Sequence, residues 1–164
     1  MSWSKPMRTL GIVILACAAT ACGFQLQGRQ PLSASFARVS LEADDVQSDF
    51  VQALRKALVA SGSVVQARAA TTTAVIEIGA DEFGTRVLSV SGRNVPTEYE
   101  LSYRVRYSVR IGDDVRVNDE ELLLTRDISF DETQILAKER EQETLREALA
   151  QDLAAQVLRR LAAL

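Results

Sequence analysis

Histidine is absent from this 164-residue chain, and cysteine occurs only twice, at Cys17 and Cys22. Without histidine, the chain cannot form a Ser-His-Asp or Cys-His catalytic site or a histidine-ligated zinc site. Both cysteines lie near the N-terminus, so they cannot cross-link the remainder of the chain as a disulfide framework would. The glycines form no phosphate-binding G-x-G-x-x-G or Walker A loop. We therefore predict no catalytic residues, no metal ligands and no cofactor.

Acidic pairs are the remaining candidates for acid and base chemistry, at residues 44–45, 113–114 and 120–121. They fall at a predicted helix start or in predicted turns, where acids cap helices, form turns and keep a surface soluble. We therefore predict that the protein is not an enzyme. Basic residues are also few: once Lys5 and Arg8 are excluded, 17 basic residues remain against 22 acidic ones, a net charge of −5. Such a charge does not predict nucleic-acid binding, which needs a basic surface.

The N-terminal segment has the order of a secretory signal peptide. Lys5 and Arg8 precede an apolar run of about ten residues, from Leu10 to Ala19, and then small residues. A membrane-spanning helix would need roughly 20 apolar residues. We predict a lipoprotein signal peptide over residues 1–21. The alternative is an apolar helix kept in a cytoplasmic core, which does not need this order of basic, apolar and small residues.

Residues 19–22, Ala-Thr-Ala-Cys, resemble a lipobox, in which small residues precede a cysteine that is acylated and becomes the mature N-terminus. We predict lipidation at Cys22, while Ile-Leu-Ala-Cys at residues 14–17 is a competing lipobox ending at Cys17. More than one fatty chain anchors a protein stably without a spanning helix, because each buried methylene contributes about 0.8 kcal/mol. Gly23, rather than Asp, follows Cys22, which by resemblance to lipoprotein sorting rules favours the outer membrane. We therefore expect a lipid-anchored protein on the periplasmic side of the outer membrane.

Apolar periodicity predicts a single α/β domain over residues 37–164, after a lipidated N-terminus and tether over residues 22–36. Alternation at residues 37–42 predicts a first strand, and apolar residues at three- and four-residue spacing from Val46 to Leu58 predict a helix. Residues 63–66 are a candidate for a brief strand. Residues 74–90 predict a long strand, in which Gly79 and Gly84 suggest bulges or bends.

The clearest alternation lies at residues 99–111, where every second residue is apolar. Gly112-Asp113-Asp114 indicates a tight turn, so the segment up to about Ile128 is predicted to return as the hairpin partner. Asp131 and Gln134 resemble a capping box, and an apolar stripe from Leu145 to Leu164 predicts a long C-terminal helix. These elements predict an α+β fold: a two-layer sandwich with a sheet of about four strands and two helices packed on one face.

Three arginines, Arg104, Arg106 and Arg110, share the polar face of the long alternating strand. Two interpretations remain open at this point. The arginines form the solvated side of an antiparallel sheet, or they complement acidic residues of another protein.

Three segments resemble the lipopolysaccharide (LPS)-assembly lipoprotein LptE family. Residues 22–28, Cys-Gly-Phe-Gln-Leu-Gln-Gly, look like its mature start, although Gln27 departs from the usual basic residue. Residues 92–101 are similar to its turn into a Glu-Tyr strand, and residues 135–139 to the Ala-Lys-acid opening of its final helix. The resemblance covers nearly all of the chain after Cys22. It implies a two-layer domain that plugs the LPS-translocating β-barrel LptD, supports its assembly and binds LPS without catalysing a reaction.

The resemblance also implies an LPS-binding site at Arg93 and Lys138, with Asn94 as a neutral donor. Arginine can bind a phosphate through two parallel hydrogen bonds, and lysine acts as a point charge. From the residues alone, the favoured interpretation of each is a solvated charge, with Lys138 paired to Glu141 or Gln142. A different class of function is also open, that of an accessory lipoprotein of a phospholipid-type ABC transport system. A scaffold lipoprotein of barrel assembly is a third possibility.

Overall fold

The computed structural model describes residues 32–66, 74–129 and 135–164, with side chains of the last segment described from Lys138 onward. The predicted signal peptide, both cysteines and the predicted capping box lie outside the described residues. A short 3-10 helix at Ala34–Phe36 precedes seven elements, which in chain order are β1 (Arg38–Ala43), α1 (Asp49–Ala60), β2 (Val64–Gln66), β3 (Ala74–Val90), β4 (Pro96–Ile111), β5 (Asp114–Ser129) and α2 (Ile135–Ala162).

The strands form one five-stranded mixed sheet in the order β2-β1-β3-β4-β5. Strand β1 lies parallel to both β2 and β3, whereas β3, β4 and β5 are joined as an antiparallel meander. The predicted α+β class is confirmed, and the brief strand β2 brings the number of strands to five.

Strand β4 carries the centre of the core. Its alternate residues Leu101, Val105 and Val109 are fully buried, and Tyr103 and Tyr107 are nearly so. Between them, the arginines are exposed, so the predicted orientation of the two faces is confirmed. Full burial of one such aliphatic side chain contributes about 1.5–3 kcal/mol. The helices complete this core with Phe50, Val51, Leu54, Leu58, Leu149, Leu153, Val157 and Leu161, and Phe36 joins it from the 3-10 helix.

A two-residue turn joins β4 to β5 as the sequence predicted. Ile111 pairs with Asp114, which leaves Gly112 and Asp113 as the loop. Gly112 has a φ of 59°, a conformation that glycine adopts without steric cost and that hairpins use at the first position of a type II′ turn. The hairpin prediction is therefore confirmed.

A bulge in β3 changes which residues face the helices. The register with β4 shifts between Ile78 and Ala80, so Ile76 and Ile78 face the core before the shift and odd-numbered residues such as Asp81 and Phe83 do so after it. The irregularity predicted at Gly79 is confirmed. At Gly84 the pairing with Ser102 continues without a shift, so no bulge lies there; an added Cβ would lie 3.1 Å from Ser102 Oγ, and a larger side chain would require Ser102 to move.

Helix α1 begins three residues later than its apolar stripe suggested. Ser48 is its N-cap, and the Ser48 hydroxyl accepts a hydrogen bond of 3.2 Å from the amide of Val51, as N-cap serines commonly do. Val46 precedes the cap and is 45% exposed, so its assignment to the helix was wrong. The amide of Gln47 donates to Asp45 Oδ1 at 2.8 Å, a local turn that competes with helix at this point.

Candidate functional site

The loop between β3 and β4 holds two of the three predicted site residues, Arg93 and Asn94. Both are exposed. The loop is closed by Ser91, whose amide donates to Val95 O at 2.7 Å and whose carbonyl accepts from the Asn94 amide at 2.9 Å. Asn94 has a φ of 61°, a left-handed conformation that asparagine tolerates better than most residues. Asn94 therefore has a structural role in the turn, beside any role in binding.

Lys138 lies in the first turns of α2, at the same end of the domain as this loop. The Gln142 side chain donates to Thr85 Oγ1 at 3.2 Å, which fixes the start of α2 beside the distal part of β3. Further along α2, Arg146 pairs with Asp49, which follows the Ser48 that is bonded to Asp81, so α2 runs antiparallel to β3. Lys138 precedes Gln142 by four residues, or about 6 Å along the helix axis, and therefore lies in the direction of Val87. The loop after β3 and the start of α2 therefore lie at the same end of the domain.

The electrostatic environment of Lys138 is mixed. The Lys138 side chain is 18% exposed, and its Nζ lies 2.6 Å from Glu141 Oε2. Glu141 is one of the two partners of Lys138 that the sequence suggested. A hollow of about 180 Å³ adjoins the start of α2 and is lined by Phe83, Glu139, Gln142, Glu143 and Arg146. Acidic side chains therefore lie beside Lys138 and in the adjoining hollow, and this end of the domain is not a uniformly positive surface.

The arginines on the open face of the sheet are paired within the protein. Arg104 Nε lies 3.9 Å from Glu121 Oε1, and Arg106 Nε lies 3.1 Å from Asp119 Oδ1. Arg110 donates to a backbone carbonyl at 3.0 Å. These contacts support the interpretation of a solvated face of mixed charge. Contact of this face with another protein stays a prediction.

Sequence reasoning missed a polar cluster beneath the start of α1. Asp81 accepts hydrogen bonds from the Ser48 and Tyr103 hydroxyls, the latter at 2.8 Å. The Tyr103 oxygen also accepts a 3.3 Å bond from the amide of Phe50. Burial, and then the hydrogen bond to Asp81, raise the pKa of Tyr103 above its ordinary value. The available signal was an acidic residue, Asp81, within the predicted strand at residues 74–90. Which face of β3 Asp81 occupies depends on the bulge at Gly79.

Two further contacts join α2 to the rest of the domain. Arg146 Nε lies 2.7 Å from Asp49 Oδ2, an ion pair without the geometry of a directed hydrogen bond. Near the other end, Glu120 accepts from the Tyr107 hydroxyl at 3.2 Å and from Arg160 Nε at 3.1 Å. Burial, and then the nearby Glu120 charge, raise the pKa of Tyr107.

The described residues contain neither a metal-binding cluster nor a membrane-spanning helix. No three acidic or cysteine side chains within residues 32–66, 74–129 and 135–164 are grouped so as to hold a metal ion. In the same residues, no helix has both the length and the apolar composition that crossing a membrane requires.

Comparison with known proteins identifies the family. The profile of the LptE family, described as lipopolysaccharide-assembly, matches residues 34–161. Rare lipoprotein B from Shewanella oneidensis superposes with a TM-score of 0.68 at 25% identity, covering 77% of this chain and 94% of its own. An uncharacterized lipoprotein B from Nitrosomonas europaea gives 0.71 at 28% identity, covering 85% and 90%.

A minor lipoprotein from Acinetobacter baumannii, with a TM-score of 0.65 at 21% identity over 81% of this chain and 94% of its own, shares the fold. Among curated proteins, none matches the chain. The family profile covers more than three quarters of the sequence and includes all described helices and strands except the last residue of α2. The chain therefore belongs to the LptE family and is a non-enzymatic lipoprotein of lipopolysaccharide assembly.

Proposed function

We propose that this protein is the partner of the LPS-translocating β-barrel LptD, that it supports assembly of the barrel as a plug, and that it binds LPS during delivery to the outer leaflet. It acts from the periplasmic side of the outer membrane, held there by lipid on Cys22. Its family membership supports this proposal. The observation that carries the binding step is the position of the β3–β4 loop and the start of α2 at one end of the domain.

Arg93 and Lys138 are the proposed contacts to LPS phosphate, with Asn94 as a neutral donor. Because the mature chain has a net charge of −5, attraction to an anionic glycolipid has to come from local cations. The ion pair of Lys138 with Glu141 stabilises the helix by only about 0.2–0.5 kcal/mol, so a phosphate can compete for the ammonium. Lys138 also lies at the N-terminal end of α2, where the helix dipole favours an anion.

Charge reversal tests this site. The Arg93→Glu, Lys138→Glu double variant of the full chain is expected to bind LPS at least about tenfold more weakly, since each charge-assisted contact contributes about 1.5–3 kcal/mol. The matched control is Arg116→Glu, Arg159→Glu, which makes the same change of charge at the opposite end of the hairpin and of α2. Circular dichroism checks that both variants are folded. Equal LPS binding by the two variants would contradict the proposed site.

The partner is tested by affinity purification from detergent-solubilised outer membranes. We expect a one-to-one complex with a large β-barrel, and depletion of the protein should lower the amount of correctly folded barrel. Recovery of an inner-membrane transporter instead, with normal barrel levels and surface LPS on depletion, would favour the accessory ABC-transport function.

A further inference from the structure

Strand β5 forms a long edge of the sheet. It has 16 residues and, within the described part of the chain, pairs with β4 alone, whereas the opposite edge strand, β2, has only three residues. One side of β5 therefore presents a row of backbone N–H and C=O groups that pair with no other described strand. An edge of this kind is a template for pairing with another extended chain.

The two parts of β5 differ in how well this edge is protected. Register with β4 shifts around Asp119, whose φ is 51°, and such a bulge bends an edge strand and disfavours further pairing. Beyond the bulge, from Glu120 to Ser129, β5 pairs with β4 without interruption. This regular stretch contains three consecutive leucines, at residues 122–124. Consecutive apolar residues on an open edge favour association with another strand.

Helix α2 covers only part of β5. Its C-terminal end contacts the strand, where Arg160 Nε donates to Glu120 Oε2 at 3.1 Å, whereas its start lies beside β3, where Gln142 bonds to Thr85. The helix therefore crosses the antiparallel strands diagonally and moves away from β5 beyond Glu120. Arg126, farther along the strand, is accordingly exposed.

The regular stretch is complementary to a second copy of itself. Residues 120–126 read Glu-Glu-Leu-Leu-Leu-Thr-Arg, so an antiparallel pairing centred on Leu123 places leucine opposite leucine and Glu120 opposite Arg126. Opposed residues of antiparallel strands share a face. Glu120 and Arg126 do lie on one face, the helix side, because each pairs with a buried residue of β4. Two-fold symmetry makes this pair of opposite charges twice.

The centre of this pairing lies on the open face of the sheet. Leu123 pairs with the exposed Arg104 of β4 and is itself 50% exposed. Across the two-fold axis, Leu123 would lie against the same residue of the second copy, and both side chains would lose contact with water. An antiparallel arrangement with opposite charges at both ends and leucines between them specifies one register.

We propose that the free protein forms a symmetric dimer in which residues 120–126 of β5 pair antiparallel with the same residues of a second copy. The two sheets then join into one, with the helices of both copies on the same side. Pairing binds the backbone groups of both edges and buries leucine side chains. Standard interfaces use about 20–30 residues from each partner, so this shorter pairing gives a weak, reversible dimer. The inference does not rest on the proposed function.

The experiment measures the mass of the full chain in detergent by sedimentation velocity over a range of protein concentrations. Micelles are kept in excess, so that two copies do not share one by chance. The test variant is Leu123→Lys, which places like charges opposite each other at the dimer axis. The matched control is Val115→Lys, the same change on the same face of β5, at a side chain that is 55% exposed but lies before the bulge. Urea unfolding checks that both variants are as stable as wild type.

We expect wild type and Val115→Lys to dimerise as concentration rises, and Leu123→Lys to need a concentration at least about tenfold higher. Wild type that stays monomeric at every concentration would overturn the inference. Equal dimerisation by the two lysine variants would overturn it as well, because the contact would then lie elsewhere.

A cysteine variant tests the register. Opposed Cα atoms of antiparallel strands lie about 4.5–5.5 Å apart, which is within the range that a disulfide spans. Mild oxidation should therefore link two copies of Leu123→Cys, beyond the level of wild type, and should leave Val115→Cys unlinked. Equal linking of the two cysteine variants would contradict a pairing centred on Leu123.

Discussion

Asp81 is expected to contribute more to stability than any other acid in the sheet. It is partly buried on the helix side of β3, where it accepts hydrogen bonds from Ser48 and Tyr103. Hydrogen bonds to a charged group contribute about 1.5–3 kcal/mol each when well shielded. Because Asp81 is only partly shielded, we expect Asp81→Ala to lower the free energy of unfolding by about 2–4 kcal/mol, a large share of the 5–15 kcal/mol typical of a domain.

Urea unfolding followed by circular dichroism measures this effect, with Glu82→Ala as the matched control. Glu82 is the next residue along the strand, is exposed on the opposite face, and should change stability by no more than about 0.5 kcal/mol. Tyr103→Phe removes one of the two donors, so the Asp81→Ala, Tyr103→Phe double variant should lose less than the sum of the single variants, by about 1 kcal/mol. Equal losses from Asp81→Ala and Glu82→Ala would refute the assignment of Asp81 to the buried face.

Three other predictions concern the core, the tyrosines and the anchor. Leu101→Ala should lower the free energy of unfolding by about 2–5 kcal/mol, and Arg104→Ala much less; equal losses in urea would mean that the register of β4 is wrong. Because the pKa of Tyr103 and of Tyr107 is raised in the folded state, their contribution is present below pH 10 and lost above it. The free energy of unfolding should therefore fall as the pH is raised above about 10, and it should fall less in the Tyr103→Phe, Tyr107→Phe variant. Cys22→Ala should abolish acylation, and mass spectrometry of the mature N-terminus locating acyl chains on the earlier cysteine would contradict the assignment.

The β4–β5 hairpin could be predicted because its signals are local. Alternation with a period of two residues determines which side chains of a strand share a face, and Gly112 supplies the turn conformation that joins the two strands. Helix α2 was predictable for the same reason, since Leu149, Leu153, Val157 and Leu161 follow helical spacing and all are buried. In each case the whole pattern lies within one continuous stretch of the sequence.

The parallel part of the sheet could not be predicted in the same way. Strand β1 pairs with β2 after α1 and with β3 beyond it, so its two neighbours depend on contacts between residues far apart in the chain. Strand β2 has three residues, too few for a periodic pattern. Topology here follows from how the helices pack on the sheet, and short segments carry little of that information.

The candidate site, too, was predicted only in part from the sequence. Its residues, Arg93, Asn94 and Lys138, were chosen from the sequence through resemblance to a family. Sequence alone also determined the fold class, the absence of histidine chemistry and the two faces of β4, because composition and periodicity are properties of the chain itself. The tertiary structure decided that the loop after β3 lies at the same end of the domain as the start of α2, and that the bulge at Gly79 turns Asp81 toward the helices. Both depend on register and packing between distant segments, which no local pattern encodes.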